Sequence, residues 1–197
     1  MQLFCCRLPL AFDDELLGRI RKISDSYRLC KAEKAPVSRQ LSSLATGLLL
    51  QYGLKQFGRQ IQDVRYESGR PVSVDGSFYL SLSHSGEYLA CILSHRPVGV
   101  DVQRVVGVHE RLKARICTDF ELKQLQKSKN PSKDLIALWA LKESYYKAAG
   151  NGQGSLTWMR SASFLVDSEE ISGPDGWTFA LKELPGGYFL SCCEKEK

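Results

Sequence analysis

Val98, Val100 and Val102 alternate with Gly99, Asp101 and Gln103. This period of two dictates a strand with one apolar face. Asp101 and Gln103 leave the opposite face together, their roots roughly 7 Å apart by strand rise. Some forty residues on, Trp139-Ala140-Leu141-Lys142-Glu143-Ser144-Tyr145-Tyr146-Lys147 reads as a helix. Its Glu143 falls among Ile136, Trp139 and Tyr146 on a largely apolar stripe, where a carboxylate is costly unless a positive charge meets it. The two segments together predict a divalent metal held between a strand and a helix.

The rest of the chain supplies an α+β frame. A strand is predicted at about Leu3–Arg7, then a helix starting near Asp13 and Asp14, whose charges suit a helix N-terminus. Leu41–Leu54 has helical spacing and a broad apolar face, and Gly53 with the polar residues after it is read as its end. Strands follow at Phe78–Ser83, Tyr88–Ser94 and Val98–Val105, the last two expected to be neighbours in a short hairpin. A helical region is predicted from about His109. Thr118 with Glu121 makes a capping box, and Asn130-Pro131 opens the Trp139 helix, which Gly150-Asn151-Gly152 stops. Three strands close the chain, Ser161–Val166, Trp177–Leu181 and Tyr188–Cys193. The order implies mostly antiparallel sheets in two similar lobes, 1–97 and 98–197.

With 197 residues the chain has ample length for a real core. Its net charge of +5 suits an anionic ligand or an acidic partner, but no Lys/Arg block marks a nucleic-acid binder. Seven cysteines, two vicinal pairs among them and no CxxC, argue for reduced thiols in a cytoplasmic protein and against a structural zinc. Neither a secretory h-region nor a membrane span is evident in the sequence, so no membrane association is expected.

Gly99-x-Asp101 followed by Trp139-x-x-Lys142-Glu143-x-x-x-Lys147 resembles the signature of the 4′-phosphopantetheinyl transferases. Ser81-Leu82-Ser83-His84-Ser85 and Gly69-Arg70-Pro71 match two further motifs of that family. The likeness is to its larger, pseudo-dimeric type, which activates synthetases of surfactin-like peptides. It implies a monomer that moves phosphopantetheine from coenzyme A to a serine of an apo acyl or peptidyl carrier protein, as a holo-[acyl-carrier-protein] synthase does, releasing 3′,5′-ADP. Magnesium is implied as cofactor, with Asp101, Gln103 and Glu143 as its ligands. Gln103 departs from the acid common in the surfactin-type group, and is expected to weaken the metal without abolishing activity.

The resemblance also assigns roles around the phosphates. Glu143, Asp101 and Lys147 are the expected catalytic residues, Glu143 as metal ligand or as base for the carrier serine. Lys142, Lys147, His84, Ser83 and Arg70 are expected to line coenzyme A, with Arg28, Lys31 and Arg39 offered to its 3′-phosphate. Plainer readings stand beside these: a solvated Asp101, an i,i+4 pair of Glu143 with Lys147, a structural His84, a loop Arg70, and Glu121 as a helix cap rather than an acid near the metal. Two rival functions remain, a metal-dependent phosphohydrolase and a non-catalytic module that binds coenzyme A or a carrier protein.

Overall fold

The computed structural model describes residues 1–9, 14–105, 107, 110–149, 159–166 and 171–197. Asp13, His109 and Gly150-Asn151-Gly152, used above as helix boundaries, lie outside the described residues. The element order runs twice. β1 (Gln2–Arg7) leads to α1 (Asp14–Ile23), α2 (Ser26–Glu33) and α3 (Val37–Gln56), then to the hairpin β2 (Val64–Glu67) and β3 (Arg70–Ser73), and to β4 (Tyr79–Ser85) and β5 (Tyr88–Ser94). β6 (Val98–Arg104) begins again: α4 (Glu110–Ile116), α5 (Asp119–Lys127), α6 (Pro131–Ala148), the short pair β7 (Leu165–Val166) and β8 (Ile171–Ser172), then β9 (Trp177–Leu184) and β10 (Tyr188–Lys195). The expected α+β class and antiparallel pairing are as observed. The sheets run β1-β5-β4 and β6-β10-β9.

Two expectations fail at particular residues. β5 and β6 are not a hairpin pair: β5 ladders with β1 and β4, and β6 with β10. Every residue of β5 is buried, so its sequence carries no polar face that would name a neighbour. β5 and β6 meet face to face, with Ala90 and Ile92 packed against Val98, Val100 and Val102 and against Leu190 and Cys192 of β10. Nor does Gly53 end α3, which continues to Gln56. A side chain there would press on Leu93, Phe4 and Cys91 at 3.0–3.3 Å, so the glycine lets the helix lie close on its sheet.

The helix boundaries follow local chemistry. Thr118 and Glu121 exchange both bonds of a capping box at α5, and Asn130 caps α6 with Pro131 in its first turn. Leu50 and Leu54 of α3 pack on Phe78, Cys91 and Leu93, while Leu135, Leu138 and Leu141 of α6 pack on Ile116, Met159 and Phe164.

Candidate active site between β4, β6 and α6

The two sheets meet along β4 and β6, and among the described residues no backbone ladder joins these strands. Serine hydroxyls replace it. The amides of Val100, Val102 and Arg104 donate to the Oγ atoms of Ser81, Ser83 and Ser85 at 3.2, 3.1 and 3.2 Å. Both numberings rise together, so the strands run parallel. Three serines at every second position of one strand put their hydroxyls on one face. That alternation is the signal in Ser81-Leu82-Ser83-His84-Ser85 which motif reading alone did not turn into a contact.

Behind this seam α6 lies directly on β6. A Cβ at Gly99 would enter the Ser144 carbonyl oxygen and come within 2.9 Å of the Ala148 amide. Glycine is therefore required for the helix backbone to touch the strand. That contact sets the register by which Lys147 and Glu143 reach Asp101.

Asp101 is 2% exposed. Its Oδ1 accepts from Lys147 Nζ at 2.6 Å and from Ser83 Oγ at 2.8 Å, and its Oδ2 accepts from Gln103 Nε2 at 2.8 Å. A carboxylate can only accept, so the Gln103 amide must turn its nitrogen inward and its carbonyl oxygen away. Lys147 also donates to the carbonyls of Val100 and Leu82, at 3.0 and 3.4 Å. All three of its protons are thus engaged inside the protein.

Glu143 sits one helical turn before Lys147, half-buried. Burial first, and then the Asp101 charge, push its pKa up to about 7, against the opposing pull of Lys147 and Arg70. No hydrogen bond from a described residue reaches its carboxylate. Two close carboxylates, one of them raised by the other, form an oxygen donor set that suits a hard divalent cation. Among the described residues no group of three or more His, Cys, Asp or Glu is placed to hold a metal. Asp101 and Glu143 are the donors on offer, the Gln103 amide meeting Asp101 through its nitrogen.

A basic rim faces this pair. His84 is exposed; partial loss of water, then Lys31, Lys147 and Arg28, hold its pKa below the ordinary value. Lys31 is lowered likewise, by desolvation and by Arg28. Arg28 is itself buried, its Nε donating to the Tyr66 hydroxyl at 3.2 Å and its guanidinium 5.4 Å from the Tyr66 ring centre. Arg70 lies over the Tyr146 ring at 5.2 Å. Arg39 stands exposed in the first turn of α3.

Lys142 departs most from expectation. It is 1% exposed, donating to the Met159 and Ala162 carbonyls at 2.8 and 2.6 Å and paired with Glu121 at 2.9 Å. Glu121 also accepts from the amides of Thr118 and Phe164. It is a helix cap and the counter-ion of a buried lysine at once. No proton of Lys142 is left for a phosphate. A cavity of about 270 Å³ between α5 and α6 borders Glu121 and contains neither Asp101 nor Glu143.

Residues 97–183 match the family model described as the 4′-phosphopantetheinyl transferase superfamily, a stretch that holds Asp101, Gln103, Glu143 and Lys147. Over this stretch the chain is similar to that superfamily. It is 30% identical over 136 residues to a 4′-phosphopantetheinyl transferase gsp of Aneurinibacillus migulanus, covering 64% of this chain and 55% of that one. It is 28% identical over 149 residues to the 4′-phosphopantetheinyl transferase Sfp of Bacillus subtilis strain 168, covering 71% and 66%. The chain thus spans between about half and two thirds of the length of these two curated relatives. Against the solved holo-[acyl-carrier-protein] synthase of Thermotoga maritima the TM-score is 0.43 at 23% identity, covering 51% of this chain and 63% of that one. The likeness to these relatives accords with the motifs. What the motifs do not convey is that Ser81, Ser85, Lys142 and Gly99 do structural work.

Proposed function

We propose that this chain transfers 4′-phosphopantetheine from coenzyme A to a serine hydroxyl of an apo acyl or peptidyl carrier protein, releasing 3′,5′-ADP. The meeting of Asp101, Glu143 and Lys147 within the matched residues carries this reading. The transfer needs a deprotonated hydroxyl and a neutralised pyrophosphate. Glu143, poised near neutral pH, is suited to take the serine proton. Asp101 and Glu143 would hold magnesium, with Gln103 at its edge. Bound there, the ion would stabilise charge on the pyrophosphate oxygens. Lys147 holds Asp101 in place, while His84, Lys31, Arg28 and Arg70 form the basic wall for the phosphates of coenzyme A.

The two halves, 1–97 and 98–197, we read as duplicated lobes in a pseudo-twofold arrangement that makes the monomer complete. The repeated element order and the matching sheets support this. A cytoplasmic protein with no nucleic-acid partner belongs to the same reading, and its net charge of +5 suits an acidic carrier. No helix among the described residues is long and apolar enough to cross a membrane.

The test is to incubate the chain with coenzyme A, magnesium and apo carrier proteins and to weigh the carriers by mass spectrometry. A gain of the phosphopantetheine mass that is lost in Asp101→Ala and Glu143→Ala is expected. No gain across a broad panel would sink the transferase reading. Breakdown of coenzyme A without a modified carrier would favour the phosphohydrolase.

A further inference from the structure

The serine column raises a question that its motif leaves open. Three hydroxyls bridge β4 and β6, yet only the middle one touches a charged group. Ser81 and Ser85 each accept a strand amide. Ser83 accepts the Val102 amide and passes its own proton to Asp101 Oδ1. It is 7% exposed, so its hydroxyl is a poor candidate for contact with an incoming phosphate.

We infer that Ser83 is a positioning residue for Asp101, acting through the carboxylate rather than on coenzyme A, and that Ser81 and Ser85 only hold the seam. The chain of bonds has a fixed direction. The Val102 N–H occupies an Oγ lone pair, so the hydroxyl proton must point across the seam to Asp101. Lys147 meets the same Oδ1, and Gln103 meets Oδ2. Three donors from β4, α6 and β6 therefore fix the carboxylate plane, leaving one acceptor site, on Oδ2, unclaimed among the described residues. Groups that orient a metal-binding carboxylate this way typically govern affinity by 10–100-fold. Ser83 thereby belongs to the first half of the chain while aligning an acid of the second.

The inference rests on the metal reading of Asp101 and Glu143 given above. Its test titrates magnesium by calorimetry into the protein saturated with coenzyme A, for wild type, Ser81→Ala, Ser83→Ala, Ser83→Thr and Ser85→Ala. Melting temperature, kcat and KM for coenzyme A are measured alongside. Ser81→Ala and Ser85→Ala each lose one seam bond and should melt about 2–4 °C lower, whereas Ser83→Ala loses two and should melt lower still. Only Ser83→Ala should weaken magnesium, by roughly tenfold or more, and lower kcat with KM for coenzyme A nearly constant. Ser83→Thr, which keeps the hydroxyl, should restore most of the affinity.

Equal magnesium affinity in the three alanine variants would overturn the inference, as would a Ser83→Ala variant that does not fold. A raised KM for coenzyme A with unchanged magnesium affinity would return Ser83 to the phosphates and also overturn it. Wild-type protein that takes up no magnesium would defeat the metal reading itself, a failure seen in the wild-type titration before any variant is compared.

Discussion

Replacing Lys142 by methionine separates two accounts of the same residue. If its ammonium faced a phosphate of coenzyme A, the variant would fold normally and bind coenzyme A poorly. The structure predicts the reverse. The ammonium has no exposure and Glu121 almost none, and they stand 2.9 Å apart. Methionine fills the same volume but leaves the Glu121 carboxylate buried with the Thr118 and Phe164 amides and no cation. Breaking a buried pair from one side costs about 3–5 kcal/mol. The orphaned Met159 and Ala162 carbonyls add to the loss, and they tie α6 to the segment leading into Phe164. For a chain of this size each kcal/mol moves the melting temperature by about 2–4 °C, so a fall of about 10 °C or more is expected. The assay is thermal and urea unfolding with KM for coenzyme A measured below the transition. A second variant, Lys142→Met with Glu121→Gln, should regain a good part of the loss, because no charge is then stranded. An unchanged melting temperature with a severalfold higher KM for coenzyme A would refute the buried-pair account.

Gly99→Ala should be among the most damaging single changes: a methyl cannot coexist with the Ser144 carbonyl, so α6 must lift from β6, with a stability loss of about 1–3 kcal/mol or more by urea unfolding and transfer activity lost with the Asp101–Lys147 contact. In metal-free protein, Glu143 binds a proton more tightly folded than unfolded, since its pKa rises from 4.5 to about 7. Stability should therefore fall as pH climbs from about 4.5 to 7, by at most about 3 kcal/mol, and Glu143→Gln should flatten that slope in urea titrations across the range. Gln103→Glu replaces a donor to Asp101 with a like charge, so the metal-free variant should melt lower while magnesium half-saturates it at lower concentration; identical half-saturation would argue that position 103 lies outside the ion's reach.

The site was legible where chemistry and periodicity agree. Alternation placed Asp101 and Gln103 on one strand face, and helical spacing placed Glu143 one turn from Lys147; the structure keeps both relations. The burial of Lys142 was not legible, for a geometric reason. Neighbours on a helix diverge by about 100°, so a residue adjacent to Glu143 in sequence faces Met159 and Phe164 instead. The pairing of β5 was beyond reach because a strand buried on both faces offers no pattern from which to choose a partner. The burial of Arg28 was hidden too, since it depends on Gly47 of α3, which leaves room for the arginine stem.

The seam also explains why Lys147 sits where it does. In a parallel ladder the β4 and β6 amides and carbonyls would satisfy one another. Here the β6 amides go to serine hydroxyls, so the carbonyls of Leu82 and Val100 are left facing the gap. A buried carbonyl without a donor is costly, and the Lys147 ammonium supplies two of its protons to that need and the third to Asp101. The motif lysine is thus a structural plug as well as a charge at the site. Loss of transfer in Lys147→Ala would not by itself locate it at the phosphates, because the same change strands Asp101 and opens the seam. The separating observation is the melting temperature. A phosphate contact alone would leave it unmoved, whereas the plug predicts a drop comparable to that of a broken half-buried ion pair.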